Sequence, residues 1–422
     1  KPGDLFVALC GERYDAHDFL ADAVRLGAGA LVVSDGSRAA GAGVPVLVVD
    51  DTLVALGALG RYHRVAWARP VIAIAGSNGK TTTKELIRSA LAPTFDVHAT
   101  ERNLNNQVGV PLTLLGLAES ADVAVIEVGT NQPGEVATLR EVVLANIVVI
   151  TTVQEEHLEG FGDLAGVMAE EMSLCDGVDL AIVPAAEPPV VAEARKRAHA
   201  VVTAGLDGGD VRPDAWGLEP DGRGWLRFGE VIVHVPLPGA HNAANAAIAM
   251  ATARAVGVSD ADAARGMAEA TIPPMRSAVA PLGDALLVND AYNANPASML
   301  AAFELLRAVG GGRQSVAILG TMRELGARTD ALHDDIARAV LATGVSVIGA
   351  VGEFAAAFAR IAPGDGRVVG AADPDGVWDR LVPRLDRRAA ILLKGSRGVR
   401  LERLVPRLEA WAGVALVGPE TS

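Results

Sequence analysis

Ile72-Ala73-Ile74-Ala75-Gly76-Ser77-Asn78-Gly79-Lys80-Thr81-Thr82-Thr83 is the stretch from which the fold of this chain is read. An apolar run leads into a turn bracketed by two glycines, and Lys-Thr-Thr then opens a helical pattern, the order of a strand, a loop and a helix. Such a loop cradles phosphate. Gly76 and Gly79 let the backbone turn its N–H groups inward past Ser77 and Asn78, and the helix N-terminus adds a favourable dipole. Lys80 can bridge terminal phosphates, and of the hydroxyls of Thr81 and Thr82 the first is placed to hold Mg2+. The general pattern G-x-x-x-x-G-K-[ST] fails at its first position, where Ile74 stands and the turn glycine has moved to Gly76. The loop is therefore a variant. The strand pattern over 71–75 and the helical pattern over 84–91 favour phosphate binding over a chance glycine turn.

At ~100–200 residues per domain, 422 residues make three domains the expectation. Half the residues are apolar, but no run reaches the ~18 uninterrupted apolar residues of a membrane span, so no membrane insertion is expected. A net charge of -14 without a basic stripe disfavours a nucleic-acid surface, so an anionic ligand must be met locally. Cys10 and Cys175, far apart in sequence, suit a reducing, cytoplasmic setting. A monomer is expected. Lys1 is not a natural start, and further sequence is expected before it.

Along the chain, residues 4–9, 30–34 and 46–49 read as strands and 15–26 as a helix, a small α/β unit. A helical pattern over 52–67 leads through Arg69-Pro70 into the phosphate-loop strand, and the first boundary falls near Ala68. From there strand candidates at 71–75, 122–128, 147–152 and 180–184 alternate with helices. Near-continuous apolar strands of this kind imply a parallel sheet covered on both faces, with ligands at the carboxyl ends of its strands. Residues 207–235 read as an antiparallel insertion. A second boundary lies near residues 271–274, giving domains 1–68, 69–273 and 274–422. Strand candidates at 285–289, 316–319, 345–351 and 389–393 make the last domain doubly wound and Rossmann-like.

Several polar residues stand at strand ends. Glu127 closes one strand and His157 follows another, so both are candidates for Mg2+, against the readings of a helix-capping carboxylate and a surface histidine. Asn242 and Asn245, three apart, can share a helix face and meet a base edge; ordinary N-capping by Asn242 is the alternative. Asp290 suits ribose hydroxyls, and Lys394 and Arg397 suit an anionic group; a capped turn is the alternative for either cluster. Lys80 is expected as an exposed loop lysine.

On these residues the chain resembles the Mur ligases of peptidoglycan synthesis, in particular the branch that adds D-alanyl-D-alanine. The resemblance spans essentially the whole chain. It rests on residues 3–9 with Gly11-Glu12-Arg13-Tyr14-Asp15-Ala16-His17-Asp18-Phe19, on 76–83, and on Asn103-Leu104-Asn105-Asn106-Gln107-Val108-Gly109. It continues through Glu127-Val128-Gly129, His157-Leu158-Glu159-Gly160-Phe161-Gly162, Asp290-Ala291-Tyr292-Asn293-Ala294-Asn295-Pro296 and Leu393-Lys394-Gly395-Ser396-Arg397. It implies a three-domain α/β enzyme: a small N-terminal domain for the uridine nucleotide, a central P-loop ATPase domain, and a C-terminal domain that closes over ATP and brings the dipeptide.

The resemblance also implies the reaction, in which ATP phosphorylates the terminal carboxylate of a UDP-MurNAc-tripeptide and the amine of D-Ala-D-Ala attacks the acyl phosphate. By it Lys80 and Thr81 serve phosphates and Mg2+, Glu127 and His157 bind metal, Asn242 and Asn245 meet adenine, and Asp290 meets ribose. Arg276 reaches the nucleotide, and Lys394 acts at the reacting groups. Asn105 and Asn106 face the muramoyl peptide, while Asp15, His17, Tyr292, Asn295, Ser396 and Arg397 are further substrate contacts. Three departures stand out. The sequence begins after the place where the family usually has its first uridine-contacting segment, and Thr321 stands where the family commonly has aspartate. Glu171 stands where the family carries a lysine whose carbamate holds a second Mg2+. Glutamate carries an oxygen pair already, and with Glu170 adjacent the register between the two is open. Two rivals share these features: another Mur or folylpolyglutamate-type ligase, and a nucleotide-binding regulatory module without ligation.

Overall fold

The computed structural model describes residues 1–11 and 13–414; Glu12, in the first family-like segment, lies outside them. Strands β1 (Leu5–Val7), β2 (Ala30–Val33) and β3 (Val46–Val48) form a parallel sheet in the order β1-β2-β3. Its core is small, built on Ala8, Leu20, Leu31, Val33 and Ala39. The helix read over 15–26 is a 3-10 turn, Ala16–Phe19, followed by an α-helix, Leu20–Arg25. Asp15 caps the turn, and the chain leaves the helix through Gly27 at φ 100°.

The helix Thr52–Trp67 is capped by Asp51, whose carboxylate accepts from Leu53 N and Val54 N, and it ends at Ala68 in left-handed backbone. It lies against the following domain rather than on the first sheet. Gly60 packs so closely that a Cβ would stand 2.9 Å from Pro111 Cα. Buried Arg64 donates to the carbonyls of Val143 and Leu144 and to Asn146 Oδ1.

The central sheet comprises β4 (Val71–Ala75), β5 (Val97–Ala99), β6 (Val123–Glu127), β7 (Ile147–Ile150), β8 (Leu180–Pro184) and β9 (Ala200–Ala204), all parallel, in the order β5-β6-β4-β7-β8-β9. Its inner strands are buried on both faces, as their unbroken apolar runs require. The order reverses at β4, which opens the ligand crevice at the end of that strand. β5 and β9 were not among the strands read from sequence. Both lie at sheet edges and carry partly exposed, less regular apolar patterns.

The insertion is antiparallel as read, with β10 (Ala215–Leu218), β11 (Arg223–Phe228) and β12 (Val231–Pro238). The C-terminal sheet has the order β13-β14-β18-β15-β16-β17, from β13 (Ala278–Leu282), β14 (Ala285–Asp290), β15 (Ser315–Gly320), β16 (Val347–Val351), β17 (Val368–Ala371) and β18 (Ala390–Lys394). Only β13, an edge strand, is antiparallel to its neighbour. Pairing of β14 with β18 sets Asp290 opposite Lys394, so two polar clusters 104 residues apart in sequence share one sheet end. No described helix is long and apolar enough to cross a membrane.

Candidate active site

The phosphate loop follows β4. Gly76 and Gly79 take left-handed backbone at φ 121° and 84°, and a Cβ on Gly76 would fall 2.5 Å from Thr151 Oγ1, so only glycine fits. Ser77 fastens the loop to the segment after β7. Its N–H donates to Thr152 O at 2.7 Å, and its hydroxyl donates to Gln154 O at 3.1 Å while accepting from Gln154 N at 2.8 Å.

Lys80 is not the exposed side chain expected from sequence. It is 16% exposed, folded back onto the carbonyl of Gly76, with Glu156 Oε1 at 3.8 Å. Burial works against its charge, but the carboxylates of Glu156, Glu171 and Glu127 outweigh it, and its pKa is raised. Lys80 therefore remains a cation at the loop.

Glu127 is buried at the end of β6. Its Oε1 accepts from Thr81 Oγ1 at 3.1 Å and from Asn105 Nδ2 at 2.9 Å, whereas buried Oε2 has no partner. A buried carboxylate oxygen without a donor is costly to leave so, and beside a phosphate loop it fits a divalent cation. Glu171 is also buried and faces the loop. Burial raises its pKa, opposed by the charge of Lys80 and by the N–H of Gly76. Glu170 points elsewhere, accepting from Gly134 N, Val136 N and Thr130 Oγ1. His157, in left-handed backbone at φ 48°, pairs through Nδ1 with Glu324 of the C-terminal domain, which leaves Nε2 as the ring nitrogen open to a ligand.

A cavity of about 650 Å³ opens beside the loop, lined in part by Asn78, Asn242, Asn245, Arg276, Asp290 and Lys394. Asn242 does not cap its helix. It is the third residue of Ala240–Ala255 and donates to Pro238 O at 2.7 Å, while Asn245 Nδ2 donates to Asn242 Oδ1 at 3.4 Å. Asp290 accepts from Ser277 N at 2.8 Å and pairs with Lys394 Nζ at 2.9 Å. Two guanidinium groups lie over the ring of Tyr292, Arg276 at 4.1 Å and Arg397 at 5.8 Å from its centroid. Arg276 Nε is buried without a partner, the complement of an anion at the domain junction.

Other residues read as substrate contacts make hydrogen bonds within the protein. Asn106 Oδ1 caps the helix Gly109–Leu115, accepting from Gly109 N at 2.9 Å and Val108 N at 3.2 Å. Asp15 Oδ1 accepts from the main-chain N–H of His17 at 2.9 Å and from His17 Nδ1 at 2.7 Å, and the carboxylate pairs with Arg38; the hydrogen bonds from His17, the main-chain one foremost, hold its carboxyl well below the usual range. His17 is buried, and its Nε2 accepts from Ser34 N at 3.0 Å. Both ring nitrogens are thus engaged within the first sheet unit. Ser396 Oγ accepts from Arg323 N at 3.0 Å. Asn295 contacts the phosphate loop through Asn78. Thr321 accepts from Glu353 N at 3.1 Å and so caps the helix Glu353–Ile361, whose own N-cap is a glycine.

Two buried groups escaped the sequence reading. Glu156, 5% exposed in its side chain, precedes His157 and faces Lys80; burial, opposed by Lys80, pushes its carboxyl up to about 7. Its only sequence signal was a carboxylate next to a histidine beyond a strand. Lys84, 2% exposed, pairs with Glu85 Oε1 at 2.8 Å and donates to Thr100 O at 2.5 Å. The hydroxyl of Thr100 accepts from Glu127 N at 2.9 Å, so Lys84 helps hold the strand end that carries Glu127.

Two family descriptions match the chain: the Mur ligase middle domain over residues 74–253, and the Mur ligase glutamate ligase domain over residues 275–397. The UDP-N-acetylmuramoyl-tripeptide–D-alanyl-D-alanine ligase of Escherichia coli K12 is 36% identical over 415 residues, which cover 95% of this chain and 90% of the relative. The chain belongs to the Mur ligase family. Its fold agrees with solved members. A MurF structure from Acinetobacter baumannii superposes with a TM-score of 0.89 at 32% identity, covering 97% of this chain and 91% of that one. MurF from Thermotoga maritima in complex with ADP gives 0.85 at 25%, covering 98% and 96%. In this Mur ligase the two matched regions are the two halves that face each other across the cavity.

Proposed function

We propose that this chain joins D-alanyl-D-alanine to UDP-N-acetylmuramoyl-tripeptide at the expense of ATP. A carboxylate oxygen of the tripeptide attacks the γ-phosphorus of ATP, the bond to ADP breaks, and an acyl phosphate forms. The dipeptide amine then attacks the acyl carbon. The tetrahedral intermediate expels phosphate, the nitrogen loses its proton, and an amide C–N bond remains. Little covalent chemistry falls to the protein, so its work is alignment and charge neutralisation.

The observation that carries this reading is Glu127, with one oxygen held by Thr81 and Asn105 and the other left bare beside the phosphate loop. Lys80 meets the β- and γ-phosphates, Arg276 and Lys394 meet the transferred phosphoryl group, and Asn242, Asn245 and Asp290 border the nucleoside. Thr81, Glu127, Glu171 and His157 are the residues that would hold Mg2+. The ion supplies charge neutralisation at the phosphoryl oxygens. An ATP-consuming reaction and two unpaired thiols, Cys10 and Cys175, support a cytoplasmic setting.

Phosphate release from ATP, measured with UDP-MurNAc-tripeptide and a panel of D-amino acids and dipeptides, tests the assignment. Strong stimulation by D-alanyl-D-alanine alone is the expected result. Stimulation by glutamate, or by no amine, rejects it.

A further inference from the structure

The phosphate loop and the C-terminal domain are joined by a two-way amide contact. Asn78 Nδ2 donates to Asn295 Oδ1 at 3.2 Å, and Asn295 Nδ2 donates to Asn78 Oδ1 at 2.9 Å. The orientation of the Asn295 amide is fixed independently, because Oδ1 also accepts from Ser298 N at 2.9 Å and only the oxygen can do so. Asn295 is 2% exposed and caps the helix Pro296–Gly310 in a reciprocal box with Ser298. The turn before it is pinned by Lys394 Nζ, which donates to Asn293 O at 2.6 Å. From the C-terminal side the amide is therefore rigid.

From the other side it meets the loop between its two glycines. Asn78 stands between Gly76 and Gly79, both at positive φ, and glycine peptide planes turn at little cost. The Asn78 side chain is thus a handle on the orientation of the N–H groups around it. The connection between the two domains is itself held in an unfavourable shape. Met275 and Ser277, on either side of Arg276, take left-handed backbone at φ 62° and 52°. Such conformations persist only where surrounding contacts over-determine them.

We propose that Asn78 and Asn295 are a positioning pair that couples domain closure to nucleotide binding. Seating the C-terminal domain sets the loop in its phosphate-binding shape, and a nucleotide in the loop holds the domain closed, because coupling between two such events is reciprocal. With its amide spent on Asn78 and Ser298, Asn295 is a link between domains, not a contact for the incoming dipeptide. The inference rests on the cavity being the ATP site, which ADP binding to the unaltered protein tests separately.

The test uses the full chain and the variants Asn78→Ala, Asn295→Ser and their combination. Serine keeps an N-cap oxygen for the helix but cannot reach Asn78, and Asn78→Ala leaves the cap untouched should the Asn295 variant fold poorly. ADP affinity by calorimetry, small-angle scattering with and without ADP, and kcat and KM for ATP and for the dipeptide are the readouts. Each single change should weaken ADP binding about tenfold, the scale of two neutral hydrogen bonds, and reduce the compaction that ADP produces. The double variant should be no weaker than either single one, and the dipeptide KM should stay near its starting value at saturating ATP. Single effects that multiply in the double variant overturn the pair. So does an Asn295→Ser protein with normal ADP affinity and a raised dipeptide KM. Unaltered protein that does not bind ADP rejects the nucleotide site itself.

Discussion

The main-chain N–H of Gly76 donates to Glu171 Oε2 at 2.8 Å. Consecutive residues of a helix point about 100° apart, and the helix Leu164–Met172 uses that angle to separate two carboxylates, sending Glu170 to cap the helix Glu135–Val143 and Glu171 to the phosphate loop. Of the two adjacent glutamates, Glu171 is the one that reaches the loop. A carboxylate stands at the loop without carbamylation.

Activity should therefore be indifferent to depletion of CO2 and bicarbonate. Glu171→Ala should raise the Mg2+ concentration needed for half-maximal turnover by about 10- to 100-fold, the range found for residues supporting a metal site, with partial recovery in excess Mg2+. Glu171→Gln, which keeps an acceptor for Gly76 N, should fall between. Full activity of the alanine variant at every Mg2+ concentration would remove Glu171 from the metal site.

Lys80→Met should lower kcat by about a hundredfold or more, the scale of losing one preorganised charge at a transition state. Since Lys80 also offsets buried Glu156 and Glu171, melting and circular dichroism belong beside the kinetics. Near-normal turnover in a folded variant would sink the ATPase assignment.

Glu156 gives the unliganded protein a pH signature. Its carboxyl titrates at about 7 in the folded chain against 4.5 for the free group, so the folded state holds the proton more tightly. Stability tied to this group is full below about pH 4.5 and is lost as the pH rises through 7. Glu156→Gln stays neutral throughout, and the drop in Tm between about pH 5 and 8 should shrink by roughly 2 °C or more. An identical slope in both proteins would mean that Lys80 keeps Glu156 ionised across the range.

Glu324 should tune His157 from the opposite domain. Burial disfavours the imidazolium, but the hydrogen bond to Glu324 together with the charges of Glu156 and Glu324 outweighs burial and raises the pKa. Because the protonated ring is favoured, this contact is strongest below the free value of 6.5 and weakens as the pH passes the raised one. In Glu324→Gln the His157 ring resonances should titrate at lower pH by NMR. An unchanged titration would show that the two domains do not meet there in solution.

Much of this protein was legible because its signals are local. Short unbroken apolar runs such as 71–75 and 147–150, bounded by turn residues, read as strands buried on both faces, and glycines at 76 and 79 before Lys-Thr read as a tight loop at a helix start. The edge strands β5, β9, β13 and β17 were missed, since a strand with one neighbour and partial exposure needs no regular pattern.

Sequence by itself determined the α/β plan, the glycine loop after β4 and the residue types around it, because periodicity and turn chemistry act over a few residues. Tertiary structure decided what each polar side chain is used for. His17 and Asn106 are spent on internal hydrogen bonds, Asn295 reaches 217 residues back to Asn78, and Glu156 and Lys80 become a buried pair. A buried donor or acceptor takes whatever partner the fold brings within about 3 Å, and which partner that is depends on how sheets and domains pack, information no local spacing contains.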